Sequence, residues 1–97
     1  MATYIGLVNF TEQGIRNVKQ TTERAKTFIA GAAKLGVTVK ETYWTMGAYD
    51  VVFVAEASND EAISALALSL GSQGNVLTQT MRAYSADEMS RILAKLP

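Results

Sequence analysis

Two strand-like runs, Val37 to Met46 and Tyr49 to Ala57, are separated only by Gly47 and Ala48. A connection that short has no room for a parallel crossover, so the runs are expected to pair as an antiparallel hairpin. Glycine first in the turn suits type II′, whose first central residue takes positive φ. The rest of the chain must be arranged around this hairpin. Ahead of it, Thr3 to Phe10 is rich in aromatic and branched residues and stops at the turn-prone Thr11-Glu12-Gln13-Gly14, which reads as a first strand. Between Thr22 and Leu35, apolar residues recur at Ala25, Phe28, Ile29, Ala32 and Leu35, a helical stripe with Thr21 as N-cap and Gly36 just past the end. Gly14 to Gln20 carries Ile15 and Val18 three apart, as one helical turn laying both side chains on the core.

After the hairpin, Ser58-Asn59-Asp60-Glu61 has the pattern of a capping box, and Ile63, Leu66, Ala67 and Leu70 follow at helical spacing up to Gly71. Val76 to Tyr84 reads as a fourth strand. Ser85 to Glu88 is a second capping box, opening a short helix with Met89, Ile92, Leu93 and Leu96. The order β-α-β-β-α-β is the ferredoxin-like split arrangement, an α+β fold with the first and third strands central and both helices on one sheet face. Residues 1–97 then form a single domain with an added C-terminal helix.

Strands alternate sides, so the first strand divides Ile5 and Leu7 from Tyr4, Val8 and Phe10, and the third divides Val51 and Phe53 from Val52 and Val54. Both faces of the central strands are apolar, and two helices shield only one. Exposing the other forgoes on the order of 25 cal/mol per Å² of apolar area. A second copy of the sheet is the simplest cover, so the chain is expected to be a homodimer or higher homo-oligomer, with the terminal helix available for further assembly.

Composition narrows the chemistry. Lys plus Arg and Asp plus Glu number nine each, net charge +0, which offers no bulk field for a nucleic-acid backbone or an anionic membrane. Histidine and cysteine are both absent, removing thiolate nucleophiles, imidazole bases, disulfides and Cys/His zinc sites together. No signal-peptide pattern opens the sequence, so a cytoplasmic location is expected. No cofactor, nucleic-acid partner or membrane association is expected either.

At Tyr43-Trp44-Thr45-Met46-Gly47-Ala48-Tyr49-Asp50-Val51-Val52 the chain resembles the GYD domain family, named for a Gly, Tyr and Asp that here are Gly47, Tyr49 and Asp50. The similarity extends to Asn9 through Arg16, Leu35-Gly36-Val37 and Leu68 through Ser72. The resemblance implies a small bacterial or archaeal protein of the dimeric α/β barrel kind, with no established activity.

Counting outward from the turn pairs Met46 with Tyr49, Thr45 with Asp50, Trp44 with Val51, Tyr43 with Val52, Thr42 with Phe53 and Glu41 with Val54. One face then gathers Thr42, Trp44, Met46, Tyr49, Val51 and Phe53 for the helices. The other carries Glu41, Tyr43, Thr45, Asp50, Val52 and Val54, suited to a cleft beneath a partner sheet. Asp50 is the candidate base, with Tyr43 as a donor nearby; the competing role is a structural one, holding turn amides or the Thr45 hydroxyl. Asn9 and Arg16 are candidates to hold a carboxylate, Glu41 and Tyr49 to line the ligand, each against a plain packing or surface role. Glu41, Asp50 and Glu56 lack a recognised metal-ligand spacing, so no metal is expected. Gly71 to Gly74 follows a helix, the reverse of a phosphate loop, and the Lys/Arg-Gly-aromatic run of an RNA-binding sheet is missing. The reading is a small-molecule-binding homo-oligomer; a cofactor-independent enzyme using Asp50 and a purely structural assembly protein are the alternatives.

Overall fold

The computed structural model describes residues 1–97. Strands β1 (Ala2–Phe10), β2 (Val37–Trp44), β3 (Val51–Ala57) and β4 (Val76–Ala83) form one antiparallel sheet in the order β2-β3-β1-β4. Helices α2 (Thr21–Lys34) and α3 (Asp60–Ser72) cover one face, α1 (Glu12–Arg16) follows β1, and α4 (Ala86–Leu93) ends the chain. This is the ferredoxin-like α+β order with a C-terminal helix added.

The core lies between sheet and helices. Tyr4, Val8, Val37, Phe53, Ala55, Ala57 and Val76 contribute from the strands, and Ala32, Ile63 and Leu66 from the helices. Burial alternates along β1 and β3 as a sheet covered on one side requires. Gly6 is fixed by packing: a Cβ there would fall 2.0 Å from Phe53 Cε2, because that ring crosses β1 directly over the glycine. Phe53 meets Phe28 of α2 edge-to-face with centroids 5.2 Å apart, locking helix to sheet.

The hairpin register agrees with the counting from Glu41↔Val54 to Trp44↔Val51, but the connection does not. The strands stop at Trp44 and Val51, and Thr45 to Asp50 form an open loop closed by Thr45 N–H donating to Asp50 O at 2.8 Å and Thr45 Oγ1 to Tyr49 O at 2.6 Å. Gly47 does hold φ +108°, accessible to glycine and strained for other residues. Met46, expected on the helices, is 98% exposed at the loop tip, because the chain has left the sheet before reaching it. A bulge between Val39 and Glu41 rephases β2, so Val37 and Val39 face the helices before it and Thr42 and Trp44 after it.

Three local expectations are corrected. Thr11 to Gly14 is not a turn but a helix start: Thr11 is the N-cap of α1 and accepts from Gly14 N–H at 3.1 Å. Ile15 and Val18 do not reach the core and are 52% and 37% exposed, since α1 is spent docking on the loop before β4. Asn59, not Ser58, caps α3 by accepting from Ala62 N–H at 2.9 Å. The helix thus begins one residue later than the Ser58 pattern implies, and the N3 amide that the cap accepts is that of Ala62 and not of Glu61.

The second capping box is present: Ser85 and Glu88 each accept from the other's backbone N–H, at 3.1 and 3.0 Å. The Ser85 amide and then the Arg82 guanidinium, 2.9 Å away, bring Glu88 down to about 2 from 4.5. A lowered carboxyl pKa stabilises the fold fully above about pH 4.5 and loses that contribution as pH falls through about 2. The melting temperature of Glu88→Gln is therefore expected to vary less than that of the native chain over that acid window, in thermal unfolding followed by circular dichroism.

Candidate functional site

The sheet face away from the helices carries Ile5 and Leu7 of β1, Val52 and Val54 of β3, and Leu77 and Met81 of β4, all open to solvent or half-buried in the single chain. Around this apolar centre lies a polar border. Tyr43, 55% exposed, donates its hydroxyl to Glu41 Oε2 at 2.8 Å, which raises the Tyr43 pKa above its usual 10.0. Lys40 Nζ stands 3.7 Å from Glu56 Oε1.

Tyr49 does not join the helix side. Its hydroxyl donates to Gln79 Oε1 on β4 at 3.2 Å, and Gln79 pairs across β1 with Leu7, so Tyr49 belongs to the open-face border. The reason is the open loop: leaving the sheet at Trp44 frees residues 45–50 from strand alternation.

Asp50 is bonded into the backbone. Its N–H donates to Val8 O at 2.9 Å, and its Oδ2 accepts from Phe10 N–H at 2.9 Å. β1 runs past Val51, the first residue of β3, and the carboxylate supplies the acceptor that a further strand residue would have given. Removing it in Asp50→Ala leaves a half-buried N–H unpaired, expected to cost about 1–3 kcal/mol, while Asp50→Asn keeps an oxygen there and is expected to cost about 1 kcal/mol. Urea midpoints of the two variants measure this difference.

Asn9 lies opposite Leu77 at the end of the β1–β4 ladder, while Arg16 pairs with Glu12 at 3.4 Å on the exposed surface. No group of three or more Asp or Glu side chains is arranged to hold a metal ion.

Two features had no clear sign in the sequence. Arg82 joins the end of β4 to α4, bonding Glu88 and the backbone oxygens of Thr3 and Ala83, and lies over the Tyr84 and Tyr4 rings at 4.6 and 5.8 Å. The Tyr4 hydroxyl in turn donates to Asp60 Oδ1, which, with burial, raises the Tyr4 pKa. The second feature is a cavity of about 610 Å³ on the helix side of the sheet, opposite to where sequence placed a cleft. Spacing identifies which residues face the helices but gives no measure of how far apart the two helices stand.

The sequence model described as GYD domain matches residues 4–93. The chain belongs to the GYD domain family. This GYD domain is 33% identical over 94 residues, 95% of its own length and 99% of the relative's, to the glutamine synthetase and cystathionine beta-lyase binding protein of Thermus thermophilus. It is similar in fold to FFRP-DM1, with a TM-score of 0.62 and 20% identity over 87% of this chain and 100% of that one. TTHA0845 of Thermus thermophilus has a TM-score of 0.58 and 23% identity over 89% of this chain and 96% of that one. At such identities the two structures support the fold of the GYD domain. No helix of the domain is long and apolar enough to cross a membrane.

Proposed function

We propose that this GYD domain is a self-associating binding module that docks on metabolic enzymes. The observation that carries the reading is the apolar open face of its central strands, Ile5, Leu7, Val52 and Val54, which a second copy would cover. An apolar sheet centre with the Glu41–Tyr43 and Lys40–Glu56 pairs at its border has the distribution of an interface core and rim. Met89 and Leu93 of α4 and Leu96 just beyond it are also exposed, leaving a second apolar surface for assembly beyond a dimer.

The enzyme-docking part of the reading comes from the Thermus thermophilus relative, which matches along nearly the whole of both chains and is named for binding glutamine synthetase and cystathionine beta-lyase. A catalytic use of Asp50 draws no support from a carboxylate already engaged with the Phe10 amide. Purified glutamine synthetase and cystathionine beta-lyase from the source organism, titrated with the domain by calorimetry, test the proposal. Saturable heat with either enzyme at micromolar concentration is the expected result. Silence with both overturns the docking claim, and a monomer in sedimentation overturns the self-association claim.

A further inference from the structure

The cavity of about 610 Å³ lies between α2, α3 and the sheet, away from the open face. It opens to solvent at a rim that includes Leu35 and Trp44, and volumes of about 300–1,000 Å³ are typical of small-molecule clefts. Val8, Val51 and Phe53 line its sheet side, with Phe28 on α2 and Leu66 and Leu70 on α3.

Gly31 adds an independent observation. It sits inside α2 with no positive φ, and a Cβ built on it would meet nothing within 4 Å, so neither turn geometry nor close packing calls for glycine. Glycine destabilises a helix interior relative to alanine. Here it borders the cavity, and its missing side chain leaves that space open.

One cation lines the cavity, Arg24, and no carboxylate is within ion-pair distance of it. Its guanidinium is held by backbone oxygens alone, Nη1 donating to Asn17 O at 2.8 Å and Nη2 to Gly14 O at 3.4 Å, which leaves further donors unused. The one acid on the lining, Glu23, is already paired with Lys26 at 3.4 Å. About half of the lining is apolar, and Arg24 is its one positive charge, with no carboxylate partner.

We propose that this cavity binds a hydrophobic monocarboxylate, its apolar part between the packed Phe28–Phe53 pair and Leu66 and Leu70 of α3, and its carboxylate on Arg24. Guanidinium and carboxylate match as a planar, two-bond pair, and the apolar walls recover area that the ligand would otherwise expose to water. The site is separate from the self-association face and does not depend on enzyme docking.

Trp44 is the sole tryptophan and lines the cavity, with its Nε1 donating to Thr21 Oγ1 at 3.0 Å, so its emission reports on the site. Decanoate is the probe and decanol its uncharged control. Decanoate is expected to change Trp44 emission saturably, with one bound per chain. Arg24→Gln should weaken decanoate about tenfold and leave decanol unchanged. Gly31→Leu, which fills the space, should abolish the response to both with helix content retained; Ala25→Phe fills it from another position should Gly31→Leu fail to fold. The proposal is overturned by no saturable response, by equal effects of Arg24→Gln on both probes, or by decanoate binding that survives the folded filling variant.

Discussion

Leu7→Glu is expected to sediment as a monomer of 10.5 kDa at micromolar concentration, where the native chain is expected to sediment as a dimer or larger. Leu7 pairs with Val52 on one side and Gln79 on the other, at the middle of the open face. A carboxylate placed there points into the surface that the proposed interface desolvates. An unpartnered charge in such a place costs about 3 kcal/mol or more, and a two-fold interface carries it twice. About 6 kcal/mol corresponds to a dissociation constant raised roughly ten-thousandfold. Secondary structure in the variant, read by far-ultraviolet circular dichroism, separates lost association from lost folding. A native chain that is already monomeric would remove the interface from the account.

The second large effect is expected at Gly14. A Cβ on this residue would lie 1.9 Å from the backbone oxygen of Asn75 and 2.9 Å from its carbonyl carbon. Neither atom is the end of a flexible side chain, so α1 or the loop before β4 must move. That movement strains a local network: Thr11 N–H donates to Asn75 O at 3.0 Å, Thr11 Oγ1 to Gly74 O at 2.6 Å, and Gln13 Nε2 to Asn75 Oδ1 at 2.9 Å. Overpacking together with lost hydrogen bonds is expected to cost Gly14→Ala about 3 kcal/mol. For a domain of this size that lowers the melting temperature by roughly 10 °C or more. Gly71→Ala is the control, since its Cβ would meet nothing within 4 Å, and its melting temperature should hold or rise. Equal melting temperatures for both variants would show that α1 yields without cost.

The Gly14 contact also explains the segment from Asn9 to Arg16. In sequence its residues resemble partners for a ligand carboxylate, yet Thr11, Gln13 and Gly14 bind the Gln73–Asn75 loop. Two loops at one end of the sheet are thereby tied together beside the Asp50–Phe10 bond. A polar pattern of this kind reads the same in sequence whether its groups bind a ligand or another stretch of backbone.

Periodicity and the position of the turn were enough to determine the strand and helix order, the register from Glu41 to Trp44, the Ser85–Glu88 capping box and the two apolar faces of β1 and β3. These follow from local rules, since side-chain alternation and capping depend on neighbours only a few residues apart. Tertiary structure alone decided where the Asp50 carboxylate bonds, that Tyr49 reaches Gln79, and that Arg82 meets Glu88 beneath Tyr84. It also decided that α2 and α3 stand far enough apart to leave a cavity over Phe53. Each of those outcomes depends on the spacing and relative position of segments distant in sequence. Small residues such as Gly31 permit more than one such spacing, so local pattern leaves it unspecified and the packed fold sets it.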